Sequence, residues 1–271
     1  MNYLKYVLFS LVACLLFAPG DVRGGSSQAG GELHFKPEEI IKFSKKVEKT
    51  LAEKGARVAI IARAGVPRKK MPEGIRFTHT AFAVYSQITT ADGRKIPGYA
   101  IYNLYQRNKE PDVSDLIVDY PVDFFAGVKE LDAGIIIPSP ELQSRLLATL
   151  TSPVYQKLHN PHYSVIANPF TLDLQNCTEH TLDVLFAAIY QTDDIKVIKA
   201  NEKAYFTPQK VNVNPIKLLI GSIFSDDVTT SDHPDNTPVT VTFTTISKFL
   251  KQYDKGGSQA FLVTPTAVTL Y

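Results

Sequence analysis

One thiol stands at the head of an apolar, helically periodic stretch. The segment Gln175-Asn176-Cys177-Thr178-Glu179-His180 carries the only cysteine outside an N-terminal apolar run. Asn176 is a good N-cap residue, and Glu179 lies three positions on, where a capping box takes an acidic side chain. Leu182, Leu185, Phe186 and Ile189 then recur at helical spacing and define a buried stripe. Cys177 therefore falls in the first helical turn, where free backbone N–H groups and the helix dipole favour negative charge. A thiol held there can persist as thiolate, the form that attacks a carbonyl carbon. The bland alternative is a small buried thiol at a helix end.

A cysteine nucleophile needs a base and a group that orients the base. Of the six histidines, His79 is the one set mid-strand among Phe, Thr and Val, where a polar ring must find a partner. Base and satisfied core histidine are both open for it. His180, three residues after Cys177, is the competing base. Asn103, on the strand that returns after His79, is the candidate orienter: its carbonyl can accept from one ring N–H and leave the other nitrogen for the thiol. Register stands in the way. A tight turn at Asp92-Gly93 puts Asn103 opposite Phe82, on the face away from His79, so a bulge or irregular connection is needed. The backbone N–H of Cys177, with Gln175, is the candidate oxyanion donor set. A zinc site from His159, His162, Cys177 and His180 is the rival constellation, weakened by Pro161 and by the lack of a Cys-x-x-Cys pair. No metal and no cofactor is expected.

These residues need elements to hold them. Residues 37–54 read as a helix, with Pro37 in the first turn and Ile40, Ile41, Phe43, Val47 and Leu51 as its stripe. Residues 58–62 are a continuous apolar run, hence a buried strand. Residues 77–85 and 99–105 read as an antiparallel hairpin joined by a long connection over 87–98. Residues 112–134 look irregular, with Phe124-Phe125 in the core, and 135–137 a short strand. Ser139 caps a helix over 139–150. A short strand is expected at 163–167, the cysteine helix runs to about Tyr190, and 192–214 looks mixed and polar. A helix over 215–224, a polar loop over 226–238, a strand at 239–243, a helical turn or two at 247–253 and strand-like segments over 261–270 complete the chain. Helices and strands interleave without the regular alternation of a doubly wound fold. The class is α+β, an antiparallel sheet packed against helices.

The chain has 271 residues, is 44% hydrophobic, and nearly balances 29 Lys and Arg against 27 Asp and Glu. That composition builds a sizeable core and gives no clustered basic surface, so a nucleic-acid binder is excluded. Residues 1–24, with Lys5 ahead of an apolar run, read as an export signal, and 25–34 as a flexible lead-in to a single domain over 35–271. Cys14 lies in a faint lipoprotein-like box, but Leu15, Leu16 and Phe17 continue the apolar run past it, which favours ordinary secretion over lipidation. With Cys14 removed, Cys177 is the lone thiol of an exported protein, periplasmic or extracellular, that does not span the membrane but could meet its surface.

Two resemblances follow from these strings. The segment Phe77-Thr78-His79-Thr80-Ala81-Phe82-Ala83 resembles the histidine strand, and Gln175-Asn176-Cys177-Thr178-Glu179 the cysteine turn, of the circularly permuted branch of the NlpC-type papain-like fold. The lecithin:retinol acyltransferase-like proteins belong to that branch. More broadly, residues 35–265 are similar to an uncharacterised bacterial family, domain of unknown function 2145. Ala62-Arg63-Ala64-Gly65, Thr78-His79, the 99–105 strand, Phe124-Phe125, Tyr163-Ser164-Val165 and Gln175-Asn176-Cys177 carry that similarity. Together they imply an exported protein with a permuted papain-like core and no stated substrate. Asn103 stands where permuted relatives often carry histidine. The expectation is a thiol hydrolase or acyltransferase of the cell envelope, acting on a peptidoglycan peptide or on an acyl group of a lipid or lipoprotein. A catalytically silent binding domain on the same scaffold is the alternative.

Overall fold

The structure is a computed structural model that describes residues 32–108, 110–211, 230–233, 237–255 and 257–271. The segment read as an export signal, Cys14 and the helix expected at 215–224 lie outside the described residues.

Within them the chain runs α1 (Pro37–Glu53), β1 (Val58–Ala64), a 3-10 turn (Arg68–Lys70), β2 (His79–Thr89), β3 (Lys95–Arg107), β4 (Glu110–Asp119), α2 (Pro121–Ala126) and β5 (Glu130–Ile137). Then come α3 (Pro140–Leu150), α4 (Val154–Lys157), α5 (Cys177–Tyr190), α6 (Ile195–Tyr205), β6 (Gln209–Lys210), β7 (Val239–Thr240), α7 (Phe243–Tyr253), β8 (Gln259–Val263) and β9 (Val268–Leu270). Seven strands form one sheet in the order β4-β3-β2-β1-β5-β8-β9, and every neighbouring pair in it is antiparallel.

The sheet is covered on both faces, which is why central β1 is buried at all seven positions and reads as one apolar run. On one face Ile40, Phe43, Val47 and Leu51 of α1 and Phe124 and Phe125 of α2 pack on Ala59, Ile61, Ala81, Ala83 and Ile135. On the other, Leu142 and Leu146 of α3, Leu182, Leu185 and Phe186 of α5, and Phe243 and Ile246 of α7 pack on Val58, Ile60, Ala62, Phe82, Val84 and Ile136. Each such side chain contributes about 1.5–3 kcal/mol when fully removed from water. Gly134 lets α7 close on β5: a Cβ there would sit 2.6 Å from the Phe243 ring.

The hairpin turn settles the register. Gly93 N–H donates to Thr90 O (2.8 Å) and Thr90 N–H to Arg94 O (2.8 Å), with Gly93 in the left-handed region at φ +79°. This is a three-residue loop with a left-handed glycine, which adds one residue over a tight two-residue turn. The pairing therefore becomes Phe82↔Tyr102. Asn103 moves onto the face shared by His79 and Ala81.

Several boundaries differ from the sequence reading. The 87–98 connection is mostly strand, because β2 and β3 extend through it to the three-residue loop. The irregular 112–134 stretch holds β4 and α2. Residues 163–167 form isolated bridges and a turn, not a strand. The polar 192–214 stretch contains α6, and the strand expected at 239–243 is two residues long and gives way to α7.

Candidate functional site

Two buried polar clusters flank β2, one on each face of the sheet. The first is centred on His79, which is fully buried. Asn103 Nδ2 donates to Asp119 Oδ1 (2.8 Å) and to Ile101 O (3.1 Å), and Tyr105 O–H donates to Asp119 Oδ2 (2.8 Å). Two acceptors on one side of the amide fix its orientation, so Asn103 Oδ1 faces His79. His79 Nε2 lies 3.1 Å from that oxygen and must be the protonated nitrogen. Nδ1 then carries the lone pair, and it is buried without a hydrogen-bond partner among the described residues. The ring stacks on Tyr105 (centroids 5.0 Å apart, 10° between planes) and lies 5.5 Å from Phe124.

Arg63 enters this pocket from β1. Its Nη1 donates to Phe124 O (2.5 Å), and its guanidinium sits 5.1 Å from the Phe124 ring and 5.6 Å from Tyr105. Burial first, and the Arg63 charge second, hold His79 well below its ordinary pKa against the pull of Asn103. The imidazole is neutral at pH 7. Burial pushes Asp119 up to about 6, although the Tyr105 hydroxyl, Arg63 and Asn103 draw it down.

The second cluster lies at the head of α5. Asn176 is the N-cap: its side-chain oxygen accepts from Glu179 N–H (2.9 Å) and from Thr178 Oγ1 (2.7 Å). Cys177 opens the helix, packs with Leu104 and Tyr163, and is 3% exposed. Its Sγ lies 3.8 Å from the carbonyl oxygen of Thr78, the residue just before His79. Its own carbonyl accepts from Thr181 Oγ1 (2.8 Å) and Thr80 Oγ1 (3.4 Å), which pins α5 to β2.

Strand alternation now decides how the named residues meet. Thr80 points to the α5 face, so His79 one residue earlier points to the α1–α2 face. Cys177 and His79 flank the entry of β2 from opposite faces, and in this resting geometry no hydrogen bond joins them, since Nε2 is held by Asn103 and Nδ1 has no hydrogen-bond partner. Asn103 and His79 do come together, through the one-residue register change.

The remaining site residues also move. The side chain of Gln175, named with Cys177 for the oxyanion, is engaged elsewhere. Its Nε2 donates to Leu158 O (3.0 Å) and Asp183 Oδ2 (2.7 Å), and its Oε1 accepts from Asn160 N–H (2.9 Å), so it clamps the 158–160 loop to α5. The capping-box role of Glu179 is corrected. Its carboxylate accepts from Lys199 Nζ (2.8 Å) instead of reaching back to Asn176. Lys199 also donates to Asp183 Oδ1 (2.6 Å) and lies 3.3 Å from Glu202 Oε2. Burial pushes Glu179 up to about 8 and Glu202 well above its ordinary value; Lys199 opposes both shifts. Burial alone would lower Lys199, but Asp183, Glu179 and Glu202 outweigh it and hold the ammonium well above its usual range.

His180 packs edge-on to Tyr155 at 5.0 Å, and burial pushes it down to about 3. His159 Nε2 is engaged with Ser114 Oγ (3.0 Å), and His162 is exposed. The proposed zinc set does not gather, and among the described residues no group of three or more His, Cys, Asp or Glu is arranged to hold a metal. Beside them an open cleft of about 330 Å³ is lined by His159, Gln175, Glu179, Asp183 and Lys199. No helix among the described residues is long and apolar enough to cross a membrane.

Residues 50–250 match a family described as an uncharacterized protein conserved in bacteria, domain of unknown function 2145. The chain belongs to this family. No curated protein and no solved structure matches it. The matched span runs from the end of α1 to α7 and so contains Arg63, His79, Asn103, Asp119, Cys177 and Lys199.

Arg63, Asp119, Asp183 and Lys199 were not singled out as site residues from the sequence. Arg63 was legible in principle: a charge inside a run of buried strand positions must find partners.

Proposed function

We propose that this chain is a thiol-dependent hydrolase or acyltransferase on a permuted papain-like core, acting on an amide or ester of the cell envelope. One observation carries the reading. His79 is held by Asn103 through Nε2, which leaves a neutral Nδ1 lone pair unspent at the start of β2, where the Cys177 thiol lies against the Thr78 carbonyl from the other face. An orienter on one ring nitrogen and a vacant lone pair on the other is what a general base for a thiol needs. A buried acceptor left unpaired costs about 1–3 kcal/mol, so it calls for an explanation.

In this scheme His79 Nδ1 takes the Cys177 proton, and the thiolate attacks the carbonyl carbon. The backbone N–H of Cys177 donates to the oxyanion. The C–N or C–O bond breaks as the leaving group takes the proton from His79, which leaves a thioester. Water resolves the thioester in a hydrolase; a second nucleophile does so in a transferase. The resting geometry requires Cys177 and His79 to come together around the Thr78 carbonyl before the first proton transfer. The envelope assignment rests on the apolar segment at residues 1–24.

The burial of both groups, 3% exposure for Cys177 and none for His79, favours a second reading, a catalytically silent binding domain on the same scaffold. Activated acyl esters separate the two. A hydrolase or transferase leaves an acyl adduct on Cys177 of the folded protein, seen by intact mass and absent in Cys177→Ala. A silent domain gains no adduct until denaturant is added.

A further inference from the structure

We propose that Asp119 is the positioning residue of this site: by fixing the Asn103 amide it locks the His79 imidazole as the Nε2–H tautomer. The inference rests on the reading of His79 as base, and its test is read on the ring itself.

The geometry runs in one direction. An ionised carboxylate only accepts hydrogen bonds. Asp119 Oδ1 accepts a hydrogen bond from Asn103 Nδ2, and Asp119 Oδ2 accepts one from Tyr105 O–H. Asn103 can then present only its oxygen to His79, and the imidazole can approach that oxygen only through a protonated Nε2. The lone pair is thereby assigned to Nδ1. Ile101 O supports the same amide orientation, but as a neutral acceptor it is the weaker hold. Asp119 closes β4, separated from α2 by one residue, so the residue that sets the tautomer belongs to the edge strand and not to the strands that carry His79 and Asn103.

The carboxylate is faced by Arg63 from β1, Tyr105 and Asn103 from β3, Asp123 from α2 and, electrostatically, Tyr155 from α4, and it reaches His79 only through Asn103. Its folded pKa of about 6 lies above its ordinary value, whereas His79 is held well below its own. Through pH 6 the carboxylate therefore gains a proton while the imidazole stays neutral. The protonated acid can turn donor, and the hold on Asn103 slackens.

The experiment is a two-bond ¹⁵N–¹H correlation spectrum of the imidazoles of the full chain, with His79 assigned by loss of its signals in His79→Gln. The wild type at pH 7.5 is expected to be almost wholly Nε2–H. In Asp119→Asn the new amide can face Asn103 with either end, so the tautomer ratio is expected to fall on the order of tenfold, as a charge-assisted hold becomes a neutral one. Asp119→Ala is expected to fall at least as far. If the variants fail to fold, titrating the wild type from pH 7.5 to 5 decides: the tautomer ratio should fall without protonation of the ring. A wild-type Nδ1–H ring would overturn both this inference and the base role of His79. An Nε2–H ring unchanged by both variants, or unchanged in the titration where they do not fold, would overturn the role of Asp119 alone.

Discussion

The two buried polar clusters solve the same electrostatic problem in opposite ways. Around Lys199, one ammonium faces three carboxylates within α5 and α6, and burial keeps protons on Glu179 and Glu202. Around His79, the polar groups form a chain from Asp119 through Asn103 to the ring, and the chain ends on a buried nitrogen with no hydrogen-bond partner among the described residues. The first pairs its one cation with every acid and fastens helix to helix. The second spends its charge on orienting one neutral base. Both clusters hold buried polar atoms without a hydrogen-bond partner among the described residues, Glu179 Oε2 and the two Glu202 oxygens in the first and His79 Nδ1 in the second. What marks the His79 side as the chemical one is that its unpartnered atom is the lone pair of an oriented, neutral imidazole.

Mutation sharpens the contrast. Lys199→Met removes the cation and leaves Asp183 without its pair, so the loss should be the largest, about 3–5 kcal/mol in urea denaturation at pH 7. Asn103→Leu strands one hydrogen bond each on His79 and Asp119 and should cost about 1–3 kcal/mol. An equal or larger loss for Asn103→Leu would mean that the His79 chain, too, is mainly structural cement.

The clusters should also part company with pH. Glu179 and Glu202 hold protons in the folded state that they have lost in the unfolded chain. Their contribution is full below the ordinary glutamate range and is lost as pH rises towards about 8. The buried histidines act in the other sense. Their folded pKa values are depressed, so their contribution is present above about 6.5 and is lost as pH falls towards the value near 3 at His180. Glu179→Gln should flatten the alkaline limb of a stability–pH curve and leave the acid limb in place. The smallest expected effect is Cys177→Ala, about 1 kcal/mol, with an unchanged circular dichroism spectrum.

Much of this was legible in the sequence where local signals and packing agree. Pro37, the Ser139-Pro140 pair and Asn176 mark the starts of α1, α3 and α5, and the apolar stripes carry them inward. The elements that escaped do so for physical reasons. Edge strand β4 exposes Ile117 and Val118 and carries Asp112, Asp115 and Asp119, so its alternation is blurred. In α6 the inward face carries Lys199 and Glu202, and a stripe made of buried charge is invisible to a hydrophobic period. Asn103 was found, but its place beside His79 hangs on a single residue in the loop at Gly93. The opposite facing of Cys177 and His79 follows from alternation about Thr80, which only the docking of α5 on β2 reveals.

The central claim is that the Cys177 thiol answers to the His79 base. Its most direct test is the alkylation rate of Cys177 against pH, by intact mass, on folded protein beginning after residue 24, with His79→Ala and His180→Ala alongside. The account predicts labelling of the folded protein with an inflection well below the ordinary thiol value of about 8.5, shifted upward by His79→Ala and unmoved by His180→Ala. Labelling only in denaturant, or a profile indifferent to His79, would contradict it.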